Sequence, residues 1–274
     1  DRDLVTKEIA GAVTDSRQVQ KDYLFIPIKG ARVDGHDFIP QVFEKGALVV
    51  LSDHALPEET GPYILVSSTT EAMKKIAVFY RTQLSCKVVG ITGSVGKTST
   101  KEMIASVLEQ RYKVLKTEGN FNNEIGLPLT IFKIRAKHEV AVLEMGISDF
   151  GEMHRLAAMA RPDIGVITNI GLCHLENLGT RDGILQAKTE MFDHLQVDGT
   201  VILNGDDDKL STKKEVNGKP VIFYGVGADS AFDIKKDIYA TDIENHGLEG
   251  MCAKIHTPPV SYTHLRAHET LANL

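Results

Sequence analysis

The sequence of 274 residues has no tryptophan and only three cysteines, Cys86, Cys173 and Cys252. Because the cysteines are odd in number and far apart, they form neither a disulfide framework nor a zinc-binding pattern. No segment approaches the roughly 18 consecutive apolar residues that a membrane-spanning helix needs, and the first residues carry no secretory signal pattern. These absences favour a reducing cytoplasm as the location of the protein.

An excess of positive charge is also absent: 31 Lys and Arg residues stand against 37 Asp and Glu residues, a net charge of −6. This balance argues against a general polyanion binder, so we expect no nucleic-acid partner. The composition, 42% hydrophobic and 25% charged, is that of an ordinary globular chain. The length predicts two domains. Because the first residue is Asp1 rather than methionine, we expect a truncated start.

Residues 1–84 contain short apolar runs separated by turns, which indicates a small α/β domain. We predict strands at 23–28 and 47–51, and helices at 38–45 and 70–84. A boundary near Ser85 follows from the stronger pattern that begins there.

Residues 85–259 alternate buried strands with amphipathic helices, which predicts a mostly parallel, doubly wound sheet. The predicted strands lie at 88–91, 140–143, 164–167 and 200–203, and the predicted helices at 97–110, 151–160 and 183–195. In the first of these helices we expect one apolar face, formed by Met103, Ile104, Val107 and Leu108.

Two later segments depart from that alternation. Beyond Lys219 the pattern is typical of β-hairpins. Residues 260–274 continue no earlier pattern, so we interpret them as a tail that does not belong to the native fold, with a short helix as the alternative.

A glycine-rich loop follows the first strand of the second domain and opens its first helix. Its residues are Thr92-Gly93-Ser94-Val95-Gly96-Lys97-Thr98-Ser99. Backbone N–H groups and the helix N-terminus suit phosphate oxygens there, Lys97 offers a charge to the β- and γ-phosphates, and the Thr98 hydroxyl is placed to ligate Mg²⁺. A turn that binds nothing is the alternative. We predict an ATP site formed by Gly93, Ser94, Val95, Gly96, Lys97, Thr98 and Ser99.

This loop resembles the phosphate loop of the Mur ligase superfamily, the ATP-dependent amide ligases that build the peptide of the cell wall precursor. Four further motifs are similar to one branch, the UDP-N-acetylmuramoyl-tripeptide–D-alanyl-D-alanine ligases or MurF family. They are Asp15-Ser16-Arg17 with Asp34-Gly35-His36-Asp37-Phe38, the run from Gly119 to Thr130, Glu144-Met145-Gly146, and Thr168-Asn169-Ile170-Gly171 with His174-Leu175. The resemblance covers about residues 12 to 257.

The resemblance also implies that parts of such a ligase are missing. The family has three domains, and its central domain continues with a His-Asn segment that helps to hold the nucleotide. A third domain closes over ATP and contributes to binding the incoming amine. Since neither is recognisable here and the first strands of the N-terminal domain are missing, we interpret the chain as a fragment that is inactive by itself.

Three residues are candidates for metal binding. Glu144 ends a buried strand, where a carboxylate can hold Mg²⁺ together with Thr98, although a surface carboxylate is the alternative. His174 and Lys188 are by themselves more typical of a loop histidine and a solvated helical lysine. The resemblance implies instead that His174 binds a second metal and that Lys188, once carbamylated, is its other ligand. Lys97, His174 and Lys188 are thus the predicted catalytic residues.

The substrate candidates lie in loops of both domains. Ser16, Arg17, Asp34, Gly35 and His36 could hold a uridine diphosphate, and Arg suits its pyrophosphate. Asn120, Asn122 and Asn123 are turn formers by residue type, but the resemblance places them beside the substrate. The acidic run Asp206-Asp207-Asp208 looks like a metal cluster, yet a solvated turn is the favoured interpretation.

The function that the resemblance implies is a ligase that uses ATP and Mg²⁺ to join D-alanyl-D-alanine to UDP-N-acetylmuramoyl-tripeptide through an acyl phosphate. We expect a monomer. Two alternatives stay open, a nucleotide-binding fragment without catalysis and a sister Mur ligase that adds a different amino acid.

Overall fold

The computed structural model describes residues 7–247, 250–258 and 261–267. The first part of the chain forms a parallel four-stranded sheet in the order β1 to β4, with strands Gly11–Val13, Tyr23–Phe25, Val49–Ser52 and Tyr63–Leu65. Two helices accompany it, α1 (Ile39–Glu44) and α2 (Thr69–Thr82). Ser68 starts α2 as an N-cap, because its hydroxyl accepts a hydrogen bond from the amide of Glu71.

The remaining chain builds a nine-stranded sheet. Its strands are β5 (Lys87–Thr92), β6 (Val114–Lys116), β7 (Val140–Glu144), β8 (Ile164–Ile167), β9 (Thr200–Asn204), β12 (Ile222–Val226), β13 (Ile238–Asn245), β14 (Met251–His256) and β15 (Ser261–Ala267). The spatial order is β15-β14-β13-β12-β9-β8-β5-β7-β6, parallel from β6 to β13 and antiparallel at the last two strands. A separate two-stranded ribbon pairs β10 (Glu215–Val216) with β11 (Lys219–Pro220). The predicted mostly parallel sheet is confirmed.

Five α-helices follow the early strands of this sheet: α3 (Lys97–Leu108), α4 (Gly126–Ile131), α5 (Glu152–Ala160), α6 (Leu175–Leu178) and α7 (Arg181–Thr189). A 3₁₀ turn, Glu190–His194, continues α7, so the predicted helix over 183–195 is divided in two. Strand β7 is buried along its whole length, as a strand covered on both faces must be.

The predicted apolar face of α3 is only half correct. Ile104 and Leu108 pack against the sheet, whereas Met103 is 51% and Val107 63% exposed. Successive helical residues are about 100° apart, and the buried stripe here passes instead through Ala105 and Lys101.

The prediction of hairpins beyond Lys219 is wrong for β12. That strand pairs in parallel with β9 and with β13, so it extends the central sheet, whereas β14, which contains residues 252–255, pairs antiparallel with both β13 and β15 and fits the prediction. Residues 261–267 form β15, an antiparallel strand on β14, and not the short helix considered as the alternative. The end of the predicted tail, 268–274, lies outside the described residues.

The two parts of the chain share a core. Met73 and Ala77 of α2 belong to the same buried cluster as Leu127 of α4 and Leu156 of α5. No helix among the described residues is long and apolar enough to cross a membrane.

Strand order fixes where a ligand can bind. The chain runs from β5 outward to β6 and then returns to β7, while β8 lies on the opposite side of β5. The carboxyl end of β5 is therefore a switch point, the place where open α/β sheets bind their ligands.

Candidate functional site

The glycine-rich loop lies at this switch point, between β5 and α3. Gly93 and Gly96 have positive φ angles of 152° and 79°. A Cβ atom on Gly93 would lie 1.9 Å from the hydroxyl oxygen of Thr168, so only glycine fits there. The local fold thus depends on both glycines that the sequence places in the loop.

The loop is braced by the residues that follow β8. Thr168 donates its hydroxyl hydrogen to the carbonyl of Val95 at 2.6 Å, and the amides of Ser94 and Val95 donate to the carbonyl and side-chain oxygens of Asn169. The amide of Gly171 donates to the Ser94 hydroxyl at 2.8 Å. These bonds preorganise the loop before any ligand binds.

The N-terminus of α3 is left open to an anion. Gly96 is its N-cap and has no side chain to cap the first turn. Within the described residues no acceptor bonds the amides of Gly96, Lys97, Thr98 and Ser99, and these four N–H groups carry the positive end of the helix dipole. The Lys97 ammonium donates to the carbonyl of Gly93 at 2.9 Å, which keeps its charge over the loop.

Glu144 joins three segments at the end of β7. Its side chain is 2% exposed; one carboxylate oxygen accepts from the Thr98 hydroxyl at 3.0 Å and the other from the Asn122 amide at 2.8 Å. The ammonium of Lys101, itself 1% exposed, lies 3.8 Å from the carboxylate. The predicted pair of Thr98 and Glu144 is therefore brought together, and Glu144 is not the surface carboxylate of the alternative interpretation.

Lys188 is buried rather than solvated. It is 1% exposed, and among the described residues its ammonium has neither a hydrogen bond nor an ion pair. Burial lowers the pKa of Lys188 to about 8, opposed by the field of Cys173 and assisted by that of Lys97. His174 follows Cys173 and starts α6 with a positive φ of 56° and an exposed side chain. Lys188 thus lies within electrostatic range of the phosphate loop.

A cleft of about 210 Å³ lies beside this centre, between the two parts of the chain. One wall is the loop after β1, with Thr14, Asp15 and Gln18, and the other carries Phe121, Thr130 and two lysines. The lysines, Lys116 and Lys133, are ion-paired with Glu102 and Glu118. The cleft therefore brings the Asp15-Ser16-Arg17 loop next to the asparagine-rich run.

The predicted substrate residues divide into those near the cleft and those away from it. Arg17 is exposed and bonds Asp15 at 2.8 Å, and this hydrogen bond lowers the pKa of the Asp15 carboxyl. Ser16 is buried, and its carbonyl accepts from Lys45. Asp34, Gly35 and His36 do not line the cleft.

The three asparagines have different surroundings. Asn122 reaches Glu144, as described above, and the Asn123 side chain accepts from the amides of Ile125 and Gly126 at the start of α4. Asn123 is thus the turn former that its residue type indicates. Asn120 is exposed.

The acidic run 206–208 supports the loop after β8. Among the described residues, its carboxylates do not converge with other ligand atoms as a metal site would require. Asp207 accepts from the amide of Ile170 at 2.8 Å, and Asp208 pairs with Arg181, which donates to the carbonyl of Ile170. Asp206 pairs with the buried Lys236. The run is a hydrogen-bonded turn whose Asp206 and Asp208 side chains remain 39% and 43% exposed to solvent.

Sequence reasoning missed the supporting residues of the site. A sequence motif contains Thr168 and Asn169 but does not indicate their role, and Lys101 lies outside every motif. The available signal for Lys101 was its position one turn after Lys97, on the face of α3 that meets the sheet.

Comparison with known families gives matches over most of the chain. Residues 91–269 match the model of the Mur ligase middle domain, and residues 8–81 match that of the Mur ligase family, catalytic domain. The UDP-N-acetylmuramoyl-tripeptide–D-alanyl-D-alanine ligase of Bacillus subtilis is 44% identical over 246 residues, which cover 88% of this chain and 53% of that protein. The same ligase of Escherichia coli is 33% identical, with 90% and 56% covered.

Solved structures give the same result. MurF from Acinetobacter baumannii superposes with a TM-score of 0.85 at 32% identity, covering 95% of this chain and 56% of that one. MurF ligase from Thermotoga maritima in complex with ADP has a TM-score of 0.81 at 30% identity, with 96% and 58% covered. The chain spans about half the length of the curated relatives that it matches. By sequence and by fold, this chain belongs to the Mur ligase family.

Proposed function

We propose that this chain is the ATP-binding and nucleotide-sugar-binding part of a ligase that joins D-alanyl-D-alanine to UDP-N-acetylmuramoyl-tripeptide. The observation that carries the proposal is the phosphate loop with four open amides, directly beside Thr98 and Glu144. The names of the relatives from Bacillus subtilis and Escherichia coli support the dipeptide as the amine substrate, in preference to the single amino acid of a sister ligase.

The charges of the centre suit phosphoryl transfer from ATP to a carboxylate. Such a transfer depends mainly on positioning and on electrostatic stabilisation of the phosphate oxygens. Lys97 and the amides of residues 96 to 99 would bind the β- and γ-phosphates. The acyl phosphate formed on the tripeptide would then be open to attack by the amine of the dipeptide, with release of phosphate, so no covalent nucleophile from the protein is needed.

The residues present fit a magnesium ion. A hydroxyl and a carboxylate, both oxygen donors, lie 3.0 Å apart in Thr98 and Glu144, and oxygen donors are what Mg²⁺ prefers. When bound there, the ion would neutralise charge on the phosphates. Asn122 and Lys101 would hold the Glu144 carboxylate in place.

A second metal position would involve Lys188 and His174. An ammonium repels a cation and Mg²⁺ prefers oxygen donors to an amine nitrogen, so Lys188 would be a ligand as a carbamate, which forms when the neutral amine takes up carbon dioxide and releases a proton. Burial with no partner among the described residues favours that neutral amine, and the lowered pKa of about 8 has the same cause. Lys188 and His174 would then be ligands of this second ion.

The cleft between the two parts of the chain would hold the UDP-muramoyl substrate. Lys116 and Lys133 line its walls, each ion-paired with a glutamate, so a bound diphosphate would compete with Glu102 and Glu118 for their ammonium groups, and Phe121 supplies an apolar surface. Ser16 and Arg17, beside Asp15, and the asparagine-rich run lie at its rim. Asp34, Gly35 and His36, which lie outside this cleft, would contact only a part of the substrate that extends to the loop after β2.

Binding of ATP by the Lys97→Ala variant tests the central claim. Lys97 is only half-buried, and its ammonium bonds loop carbonyls, so its loss should leave the fold intact. Calorimetry with ATP and Mg²⁺ should show loss of most of the affinity, whereas the exposed Lys75→Ala should bind as the unchanged chain does. Equal affinity in Lys97→Ala would show that the loop has only a structural role.

Turnover separates the ligase from a nucleotide-binding fragment. We expect no phosphate release by this 274-residue chain with both substrates, and release by the full-length parent. The resemblance implies a third domain that closes over the nucleotide and contributes to binding the amine, and positioning of this kind accounts for much of the catalysis of a two-substrate reaction. Phosphate release by the 274-residue chain alone would show that turnover does not need the rest of the full-length parent.

A further inference from the structure

A second group of metal-binding residue types lies in the loops that follow β2 and β3 of the first sheet, whereas the phosphate loop follows β5 of the nine-stranded sheet. His36 opens a 3₁₀ turn after β2, and Asp53 and His54 directly follow β3. The two strands are parallel neighbours, so their carboxyl ends meet at one edge of the sheet. One ligand atom from each of these three residues lies within 4.8 Å of those of the other two. We call these three residues the His36 cluster.

The carboxylate of Asp34 fixes the orientation of the His36 ring. Its Nδ1 lies 2.6 Å from a carboxylate oxygen of Asp34, which also accepts the backbone amide of His36 at 3.0 Å. An ionised carboxylate can only accept, so Nδ1 carries the hydrogen and the neutral ring has its lone pair on Nε2. A carboxylate behind the imidazole is the arrangement that orients metal-binding histidines.

The other nitrogen of His36 has no hydrogen-bond partner. The side chain is 6% exposed, and the Nε2 atom is itself shielded from solvent and has no hydrogen bond within the described part of the chain. It faces an oxygen of Asp53 at 3.4 Å. Two lone pairs therefore face each other, one on the buried His36 ring and one on the Asp53 side chain, which is 39% exposed, an arrangement that a cation between them would stabilise.

We propose that His36, Asp53 and His54 form a binding site for a divalent transition-metal ion, Zn²⁺ by its ligand chemistry. Two imidazoles and a carboxylate suit zinc better than magnesium, which prefers oxygen donors only. Ligands on a tetrahedral zinc ion lie about 3.3 Å apart, and the His36 and Asp53 atoms are separated by 3.4 Å. Nothing in this proposal depends on the ligase function.

His54, the remaining ligand, needs only a small side-chain rotation to bind the same ion. A ring nitrogen of His54 lies 2.7 Å from the same Asp53 oxygen, closer than two ligands of one ion. The His54 side chain is 56% exposed, so it can rotate away from the carboxylate without disturbing the core. The two imidazole rings already lie close, with centroids 4.8 Å apart. Water would complete the coordination.

A proton on Nε2 of His36 would compete with the metal ion. If His36 were an imidazolium, it would bridge Asp34 and Asp53 without any metal. The two possibilities differ in one measurable respect, since only the metal site binds Zn²⁺ with an affinity that depends on His54 and Asp53.

Titration with Zn²⁺ alone, without nucleotide, tests the proposal in the 274-residue chain. Calorimetry should detect one ion bound through the His36 cluster, and Asp53→Asn and His54→Ala should each weaken this binding about tenfold or more. Both residues are partly exposed, so these variants should fold, which circular dichroism can verify. The same loss of affinity in Asp34→Asn, which touches no ion, would identify Asp34 as the positioning residue.

A second histidine pair provides the matched control. His154 and His194 are surface residues with facing ring nitrogens 3.2 Å apart, so they are the obvious place for unspecific zinc. His154→Ala should leave the measured affinity unchanged. Loss of binding in His154→Ala but not in Asp53→Asn would overturn the proposal, as would an unmodified chain that binds no zinc.

Discussion

Replacement of Lys188 by methionine should make the chain more stable at neutral pH. Methionine has a similar length and no charge, whereas the native lysine is 1% exposed with no partner among the described residues. Burial lowers the pKa of Lys188 from 10.5 to about 8. That difference corresponds to about 3 kcal/mol of folding free energy lost while the buried amine is protonated.

The sign of the pH dependence follows from proton binding. Between pH 8 and 10.5 the unfolded chain keeps the Lys188 proton that the folded chain has released, so stability rises with pH in this window. Below the folded pKa both states are protonated and the full cost is present. From pH 7 to 9.5 the native chain should therefore gain about 2 kcal/mol relative to the methionine variant.

Urea unfolding of both chains, in metal-free buffer without carbon dioxide, measures this difference directly. Only the difference between the two chains matters, because other groups titrate equally in both. Lys75→Met is the matched control: Lys75 is exposed on α2, and its ammonium stays in water in the folded state. A stability difference between native and Lys188→Met chains that stays constant from pH 7 to 9.5 would refute the reasoning.

Three shorter predictions concern the loop, the metal position and the shared core. Gly93→Ala should abolish ATP binding in calorimetry, because its Cβ would lie 1.9 Å from the Thr168 hydroxyl; retained binding would contradict the loop geometry. Glu144→Gln should remove the dependence of ATP affinity on Mg²⁺ in the same assay, and an unchanged dependence would place the ion elsewhere. Met73→Ala should destabilise the chain by about 2–5 kcal/mol in urea unfolding, because Met73 is fully buried where α2 packs against α4 and α5. A cost well below 1 kcal/mol would indicate that the two parts do not share a core.

The parallel sheet was predictable because its strands are continuous apolar runs. A run such as Val140-Ala141-Val142-Leu143 suits only a strand covered on both faces, and the structure buries all of β7. The same reasoning failed at β12. Which strand pairs with β12 depends on residues 202–204, about twenty positions earlier, and no local pattern contains that information.

The apolar face of α3 shows a different limit. Periodicity indicates that a face exists but does not fix which angular sector meets the sheet. Because Lys101 enters the buried sector to reach Glu144, Met103 and Val107 are turned toward solvent. A requirement of the site thus overrides the hydrophobic pattern of the helix.

The phosphate loop was predictable because its residues are contiguous. Its supports come from other segments: Thr168 and Asn169 follow β8, and Glu144 ends β7. They reach the loop only because β8 and β7 lie on either side of β5. Strand order is a property of the whole sheet, so spacing along the chain could identify these residues as polar ends of strands but not as neighbours.

The ligand-binding groups of the centre are bonded to one another before a ligand arrives. Lys97 donates to a loop carbonyl, and the Thr98 hydroxyl donates to Glu144. Binding of phosphate and metal would therefore exchange these hydrogen bonds for stronger ones, and the open amides of residues 96 to 99 would gain an acceptor only when phosphate binds. Within the described residues the amine of Lys188 likewise has neither a hydrogen bond nor an ion pair. Its charge is the feature of the centre that folding disfavours most, so it is the group whose chemical state should change most when the site is filled.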